Sequence, residues 1–246
     1  MQLEEYDLMY QVETYHWWYR GMEKISLAIL DHWYRRGTDL RILDAGCGSG
    51  YAMVSYLKQY GEVTGVDISK HAINYTRQRG ATRLVLASVA DLPFQGASFG
   101  LVSSFDVLSI EAVGDDSAAL GEFSRVLTKG GRIFLRLPAY DWLYSQHDRA
   151  IHTVRRYTTA GIARQLKANG FIVEYISYIN TFRFPFALVK RLTEKIVTPK
   201  THSSELAIRP GKFNAVFQNI LEAEAMLIPK VKLPYGLTVI AVGRKI

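Results

Sequence analysis

The chain has 246 residues, enough for one sizeable core, and its 48% apolar and 22% charged content excludes a disordered or collagen-like polymer. Thirty Lys and Arg against 23 Asp and Glu leave a net charge of +7, which favours anionic partners without naming one. The single cysteine, Cys47, rules out an internal disulfide and Cys-rich zinc patterns, and no metal site is expected.

The start, Met1 to Asp7, is acidic where a secretion signal would be basic. No run approaches the ~18 apolar residues of a membrane span, so a cytoplasmic protein is expected. Residues 1–36 read as a helical cap rich in aromatic side chains. From Arg41 the pattern alternates: strands are expected at Arg41–Leu43, Glu62–Val66, Leu84–Ala87, Leu101–Ser104 and Arg132–Leu137. Helical periods lie between them, with Ser69 placed to cap one and Gly130-Gly131 expected to end another. Such alternation implies a parallel sheet covered on both faces. A polar connection follows at 139–158, then a helix at Thr158–Asn169 ended by Gly170, and a strand at Phe171–Tyr178. Residues 180–232 form a helical insertion, with amphipathic stretches at Phe186–Ile196 and Phe213–Ile228, before a final strand at Leu237–Val242. The whole is expected to be one domain, with 40–138 as its ligand-binding core.

Between the first strand and the first helix of that core lies Asp44-Ala45-Gly46-Cys47-Gly48-Ser49-Gly50. Glycines serve where a backbone turns tightly and a ligand must approach main-chain N–H groups. The position after Gly50 is Tyr51, so the spacing is not a nicotinamide fingerprint, and a Walker Gly-Lys-Ser/Thr is absent. Asp67 ends the second strand, where a carboxylate accepts both hydroxyls of a ribose. Cys47 reads as a small turn residue, not a nucleophile.

This stretch resembles the class I S-adenosylmethionine-dependent methyltransferases, in particular their type 11 small-molecule group. The resemblance runs through Leu40–Gly50, Val63–Ser69, Asp91-Leu92-Pro93-Phe94, Ser98–Val107 and Arg125–Gly131. It implies a seven-stranded, mostly parallel sheet whose last strand is antiparallel, and S-adenosyl-L-methionine as cofactor. It also implies that Asp44, Ala45, Gly46, Gly48 and Gly50 surround the methionine part, and that Asp67 holds the ribose. Ile68, Ser88, Val89 and Ala90 would border the adenine, and Phe105 and Asp106 would close the site. Three positions depart from the pattern: Ser88 replaces a common Asp, Phe99-Gly100-Leu101-Val102 lacks an acidic residue, and Leu108-Ser109-Ile110 lacks a common Glu-His pair.

On the substrate side, Tyr15-His16-Trp17-Trp18-Tyr19-Arg20 offers aromatic walls and a cation. Trp18 and Arg20 are candidates for the cofactor, Arg20 through its carboxylate, and Tyr15 for the acceptor. The 139–158 connection follows a strand C-terminus, where open sheets bind ligands. It supplies His147, Asp148 and His152 as candidate bases for a hydroxyl, and Arg155, Arg156 and Tyr157 as candidate acceptor contacts. The basic amphipathic stretch at 182–196 reads as a pocket lid, a peripheral membrane contact, or a core or homodimer face. The leading expectation is therefore methyl transfer to a small-molecule acceptor, most naturally a hydroxyl of a sugar, lipid-linked or polyketide-like compound. Two alternatives stand beside it. Nucleic-acid methylation fits the charge but lacks an Asn/Asp-Pro-Pro-aromatic motif at Ser104-Phe105-Asp106-Val107. A cofactor-binding protein of the same fold that transfers no methyl group is the other.

Overall fold

A computed structural model describes residues 3–188 and 214–246. Two helices come first, α1 (Leu3–Val12) and α2 (Trp17–Trp33). The sheet is built from β1 (Leu40–Ala45), β2 (Gly61–Asp67), β3 (Leu84–Leu86), β4 (Phe99–Phe105), β5 (Leu127–Pro138), β6 (Phe171–Ile179) and β7 (Thr238–Lys245). Between the strands lie α3 (Tyr51–Ser55), α4 (Lys70–Gln78), α5 (Asp116–Val126), α6 (Gln146–Ala150), α7 (Thr159–Ala168) and α8 (Asn214–Leu227).

The strands form one seven-stranded sheet in the order β3-β2-β1-β4-β5-β7-β6. β1 to β5 pair in parallel, and β7 runs antiparallel between β5 and β6. This is the sheet that the sequence implied. The order reverses at β1, whose neighbours are β2 on one side and β4 on the other, so a crevice opens beyond their C-terminal ends. One difference concerns Gly130-Gly131: α5 ends earlier, at Val126, and β5 begins at Leu127 and runs through both glycines. The strand tolerates them because its pairing with β4 is irregular between Phe99 and Leu101.

Burial explains the two layers. On one face, Leu43, Val102, Ile133, Leu135 and Leu137 pack with Leu120 and Phe123 of α5 and with Ile162 and Leu166 of α7. On the other, Ile42, Leu101, Phe134 and Ile240 meet Met22, Ile25 and Ile29 of α2 and Leu221 of α8. The three α2 residues repeat at helical spacing, which turns one stripe of that helix to the sheet. Gly21 lets α2 and α8 approach, since a Cβ there would run into Leu221. The end of α8 is tied to β6 by the fully buried Glu224 carboxylate, which accepts the backbone N–H groups of Asn180 and, at 3.0 Å, Thr181. Its start is tied to the loop before α2: the Asn214 side chain accepts from the Trp17 N–H (2.9 Å) and donates to the Tyr15 carbonyl (3.1 Å).

Phe213–Ile228 was expected to be amphipathic, and α8 occupies most of it. Most of the basic stretch at 182–196, with Val189, Lys190, Arg191, Leu192 and Lys195, lies outside the described residues. Among the described residues no helix is long and apolar enough to cross a membrane.

Candidate functional site

A cavity of about 690 Å³ opens at the C-terminal ends of β1, β2, β4 and β5. Its first half is built on the glycine loop. Gly46, Gly48 and Gly50 all have positive φ (83°, 57° and 81°), a region that favours glycine. At Gly46 a Cβ would also strike Val107, so the loop sits hard against the end of β4. Asp67 is buried at the tip of β2 and takes one backbone N–H on each oxygen, from Gly48 at 2.9 Å and from Ser69 at 2.8 Å. Burial raises its pKa against those two donors. Asp44, at the end of β1, accepts from the Ser103 hydroxyl at 2.9 Å, and burial pushes it up to about 7. Ile68 is an apolar residue 56% exposed on the rim. Ser88, Val89, Trp18, Phe105 and Asp106 complete this half.

α1 closes the cavity from above. Its Asp7 holds His71 (2.8 Å) and Tyr75 (2.7 Å) of α4. Just beyond it, the buried Glu13 accepts from the Ser49 hydroxyl of the glycine loop and pairs with Arg79 at 2.8 Å. Burial pushes Glu13 to about 7 as well.

The second half lies beyond β4 and β5. Asp106 has φ 62°, a conformation that Asp tolerates better than most side chains, and its carboxylate meets Arg136 Nε at 2.8 Å. Arg136 projects from β5 into the cavity, with its guanidinium 4.8 Å from the centre of the Phe105 ring. His147 of α6 also lines the cavity, and its Nδ1 is buried with no hydrogen-bond partner.

Several candidate residues take other positions. Arg20 turns to Glu23 (3.1 Å) and does not line the cavity. Ala45 is fully buried in the sheet, and Gly50 packs on Thr76, where a Cβ would collide. Ala90 flanks Val89 without reaching the lining. Tyr15 is 51% exposed outside it. His152 is exposed at positive φ beside Glu111 (3.7 Å), away from the cavity. Arg155 turns to Asp116 (3.5 Å) and the Gly114 carbonyl. Tyr157 is buried, donating to the Leu108 carbonyl (2.9 Å) and Asp116 (3.0 Å). Asp148 and Arg156 do line the cavity, but they bind each other through two contacts at 3.0 and 2.9 Å. Asp148 also accepts the Ser145 N–H and hydroxyl at 2.7 and 2.8 Å, as the third residue of a capping box on α6. With those lone pairs engaged, Asp148 fits a structural anchor better than a base. Of the three candidate bases, only His147 both lines the cavity and carries a ring nitrogen without a hydrogen-bond partner.

Arg136, Glu13 and Asn180 are cavity residues that escaped the sequence reading. Arg136 was visible in principle, as a lone charge inside the apolar run Ile133–Pro138. Glu13 and Asn180 had no local signature, because their roles arise from long-range packing.

Residues 43–135 match a family model described as a methyltransferase domain. Within those residues the chain carries a methyltransferase domain of the class I S-adenosylmethionine-dependent kind. Among curated relatives, this methyltransferase domain is similar to geranyl diphosphate 2-C-methyltransferase of Saccharopolyspora erythraea. Identity is 26% over 159 residues, which cover 58% of this chain and 54% of that protein. It is also similar to malonyl-[acyl-carrier protein] O-methyltransferase of Erwinia pyrifoliae, 32% identical over 106 residues that cover 43% of this chain and 39% of that one. The chain thus spans about half the length of the curated relatives it matches. Among solved structures, geranyl diphosphate C-methyltransferase of Streptomyces coelicolor A3(2), bound to Mg2+, geranyl diphosphate and S-adenosyl-L-homocysteine, superposes with a TM-score of 0.60. Sequence identity there is 17%, covering 90% of this chain and 79% of that one, so the fold is shared.

The residues of the methyltransferase domain fit its cofactor. Gly46 and Gly48 line the cavity in a turn whose positive φ leaves the main chain bare of side chains, and a buried carboxylate, Asp67, stands at the tip of the neighbouring strand.

Proposed function

We propose that this protein transfers a methyl group from S-adenosylmethionine to a hydroxyl of a small-molecule acceptor, with His147 as the base. The observation that carries this reading is His147, which lines the same cavity as the glycine loop and Asp67 and whose buried Nδ1 has no hydrogen-bond partner. A sugar, lipid-linked or polyketide-like alcohol fits the mixed lining, where Ile110, Leu143 and Phe217 stand among the polar groups.

When bound, the cofactor supplies a methyl group already attached to a good leaving group, a sulfonium. The protein's task is to align the acceptor oxygen and keep water out. Asp67, with one lone pair on each oxygen already fixed by a backbone N–H, is rigid enough to hold vicinal ribose hydroxyls. Asp44 carries the negative charge that an amino group would meet, and α1 with Glu13 roofs the site. Trp18 and Phe105 supply apolar walls. The His147 imidazole takes the acceptor's hydroxyl proton as the new carbon–oxygen bond forms. The Asp148–Arg156 pair holds α6 in place beneath it.

Calorimetric titration with S-adenosylmethionine and S-adenosylhomocysteine, wild type beside Asp67→Ala, tests the first half of this reading. Loss of two charge-assisted hydrogen bonds, at about 1.5–3 kcal/mol each, predicts binding weaker by about 100-fold or more in the variant. An alcohol panel read by S-adenosylhomocysteine release tests the second half. No turnover with any alcohol, alongside turnover of a carbon or nitrogen acceptor, would overturn the hydroxyl assignment.

A further inference from the structure

Asn180 is the first residue beyond β6 and lines the acceptor half of the cavity. Its side chain is 1% exposed, yet neither Oδ1 nor Nδ2 has a hydrogen-bond partner. Its backbone N–H, by contrast, is held by Glu224. The backbone sits at φ 61°, where Asn is tolerated, but glycine would be tolerated at least as well and would bury no amide. A buried carboxamide with both its donor and its acceptor unmet is unfavourable, and native interiors rarely keep one without a use. Backbone geometry therefore accounts for a small or flexible residue at this position, not for the amide. Two other residues that line the same cavity, His147 and Thr153, also carry a buried polar atom without a partner, Nδ1 and Oγ1.

We propose that Asn180 reads the acceptor: its carboxamide pairs with a neutral group that offers one donor beside one acceptor, a carboxamide, lactam or hydroxyl. This inference rests on the methyltransferase reading of the same cavity. Oδ1 takes the acceptor molecule's N–H or O–H, and Nδ2 donates to the adjoining oxygen. A carboxylate or phosphate satisfies only half of that pattern, because it brings no donor to Oδ1. The residue thus sets which end of the molecule enters deepest, while His147 faces the hydroxyl to be methylated.

The test uses the full chain saturated with S-adenosylhomocysteine and titrated by calorimetry with two matched probes, octanamide and N,N-dimethyloctanamide. The second keeps the carbonyl and loses both N–H donors. Two hydrogen bonds against one predict that the wild type binds octanamide about tenfold tighter. Asn180→Gly keeps the left-handed backbone and removes the amide. In it the two probes should bind within about threefold of each other. A melting temperature equal to or above wild type would confirm that the amide has no structural role. Equal affinities in the wild type, binding by neither probe, or discrimination retained in Asn180→Gly would each overturn the proposal. Failure of S-adenosylhomocysteine to bind in the loading step would instead overturn the methyltransferase reading itself.

Discussion

Replacing Asp148 by Ala separates an anchor from a base. The carboxylate is 2% exposed and the Arg156 side chain 11%, and the two meet through two contacts of 3.0 and 2.9 Å. Removing the acid strands a buried guanidinium that keeps only the Ala139 carbonyl (2.8 Å), and it opens the capping box at Ser145. Breaking one side of a buried pair costs about 3–5 kcal/mol. In a chain of this size each kcal/mol lowers the melting temperature by ~2–4 °C, so a drop of about 6–20 °C is expected. Replacing Arg156 by Met in the same molecule removes the stranded charge and should recover most of that drop. Differential scanning calorimetry on wild type, Asp148→Ala and the double variant reads this directly. A single variant that melts within about 2 °C of wild type while methyl transfer collapses would refute the anchor assignment and restore Asp148 as a base.

Other expectations follow from the same geometry. His147→Ala should lower kcat about 10²- to 10⁴-fold in an S-adenosylhomocysteine release assay, whereas the exposed His152→Ala should stay within about twofold of wild type. Asp44 stands near 7 in the free protein, so it is increasingly protonated below that pH, and a cationic cofactor must displace the proton. Affinity should therefore rise with pH up to about 7, by about one log unit per pH unit for Asp44 alone, with Glu13 adding to the slope. In Asp44→Asn the slope should fall by about one, as measured by calorimetry from pH 5.5 to 7.5. Gly21→Ala drives a methyl group into Leu221 between α2 and α8, an overpacking cost of about 1–3 kcal/mol and a melting temperature lower by ~2–12 °C.

The sheet was legible because its strands and helices announce themselves locally: Met22, Ile25 and Ile29 repeat at helical spacing, and Ile133–Leu137 is a short apolar run broken only by Arg136, as a strand covered on both faces reads. The glycine loop was legible because its backbone demands a residue type, as the positive φ at Gly46, Gly48 and Gly50 shows. The acceptor side was not. Asp148 and Arg156 stand eight positions apart in a polar connection, and nothing in that spacing tells a catalytic acid from half of a buried ion pair. The Ser145-to-Asp148 spacing of a capping box was the local clue to the second. Arg155 and Arg156 are neighbours in sequence, yet one turns to Asp116 and the other to Asp148, a choice made by elements that fold against them from far along the chain.

Glu224 and Asn214 have a consequence for engineering. Each fastens one end of α8: Asn214 ties its start to Tyr15 and Trp17, and Glu224 ties its end to the backbone just beyond β6. Phe217, which lines the cavity, lies between those two clamps. Substitutions there act on a helix held at both ends, so they reshape the cavity wall without unseating the helix that carries it.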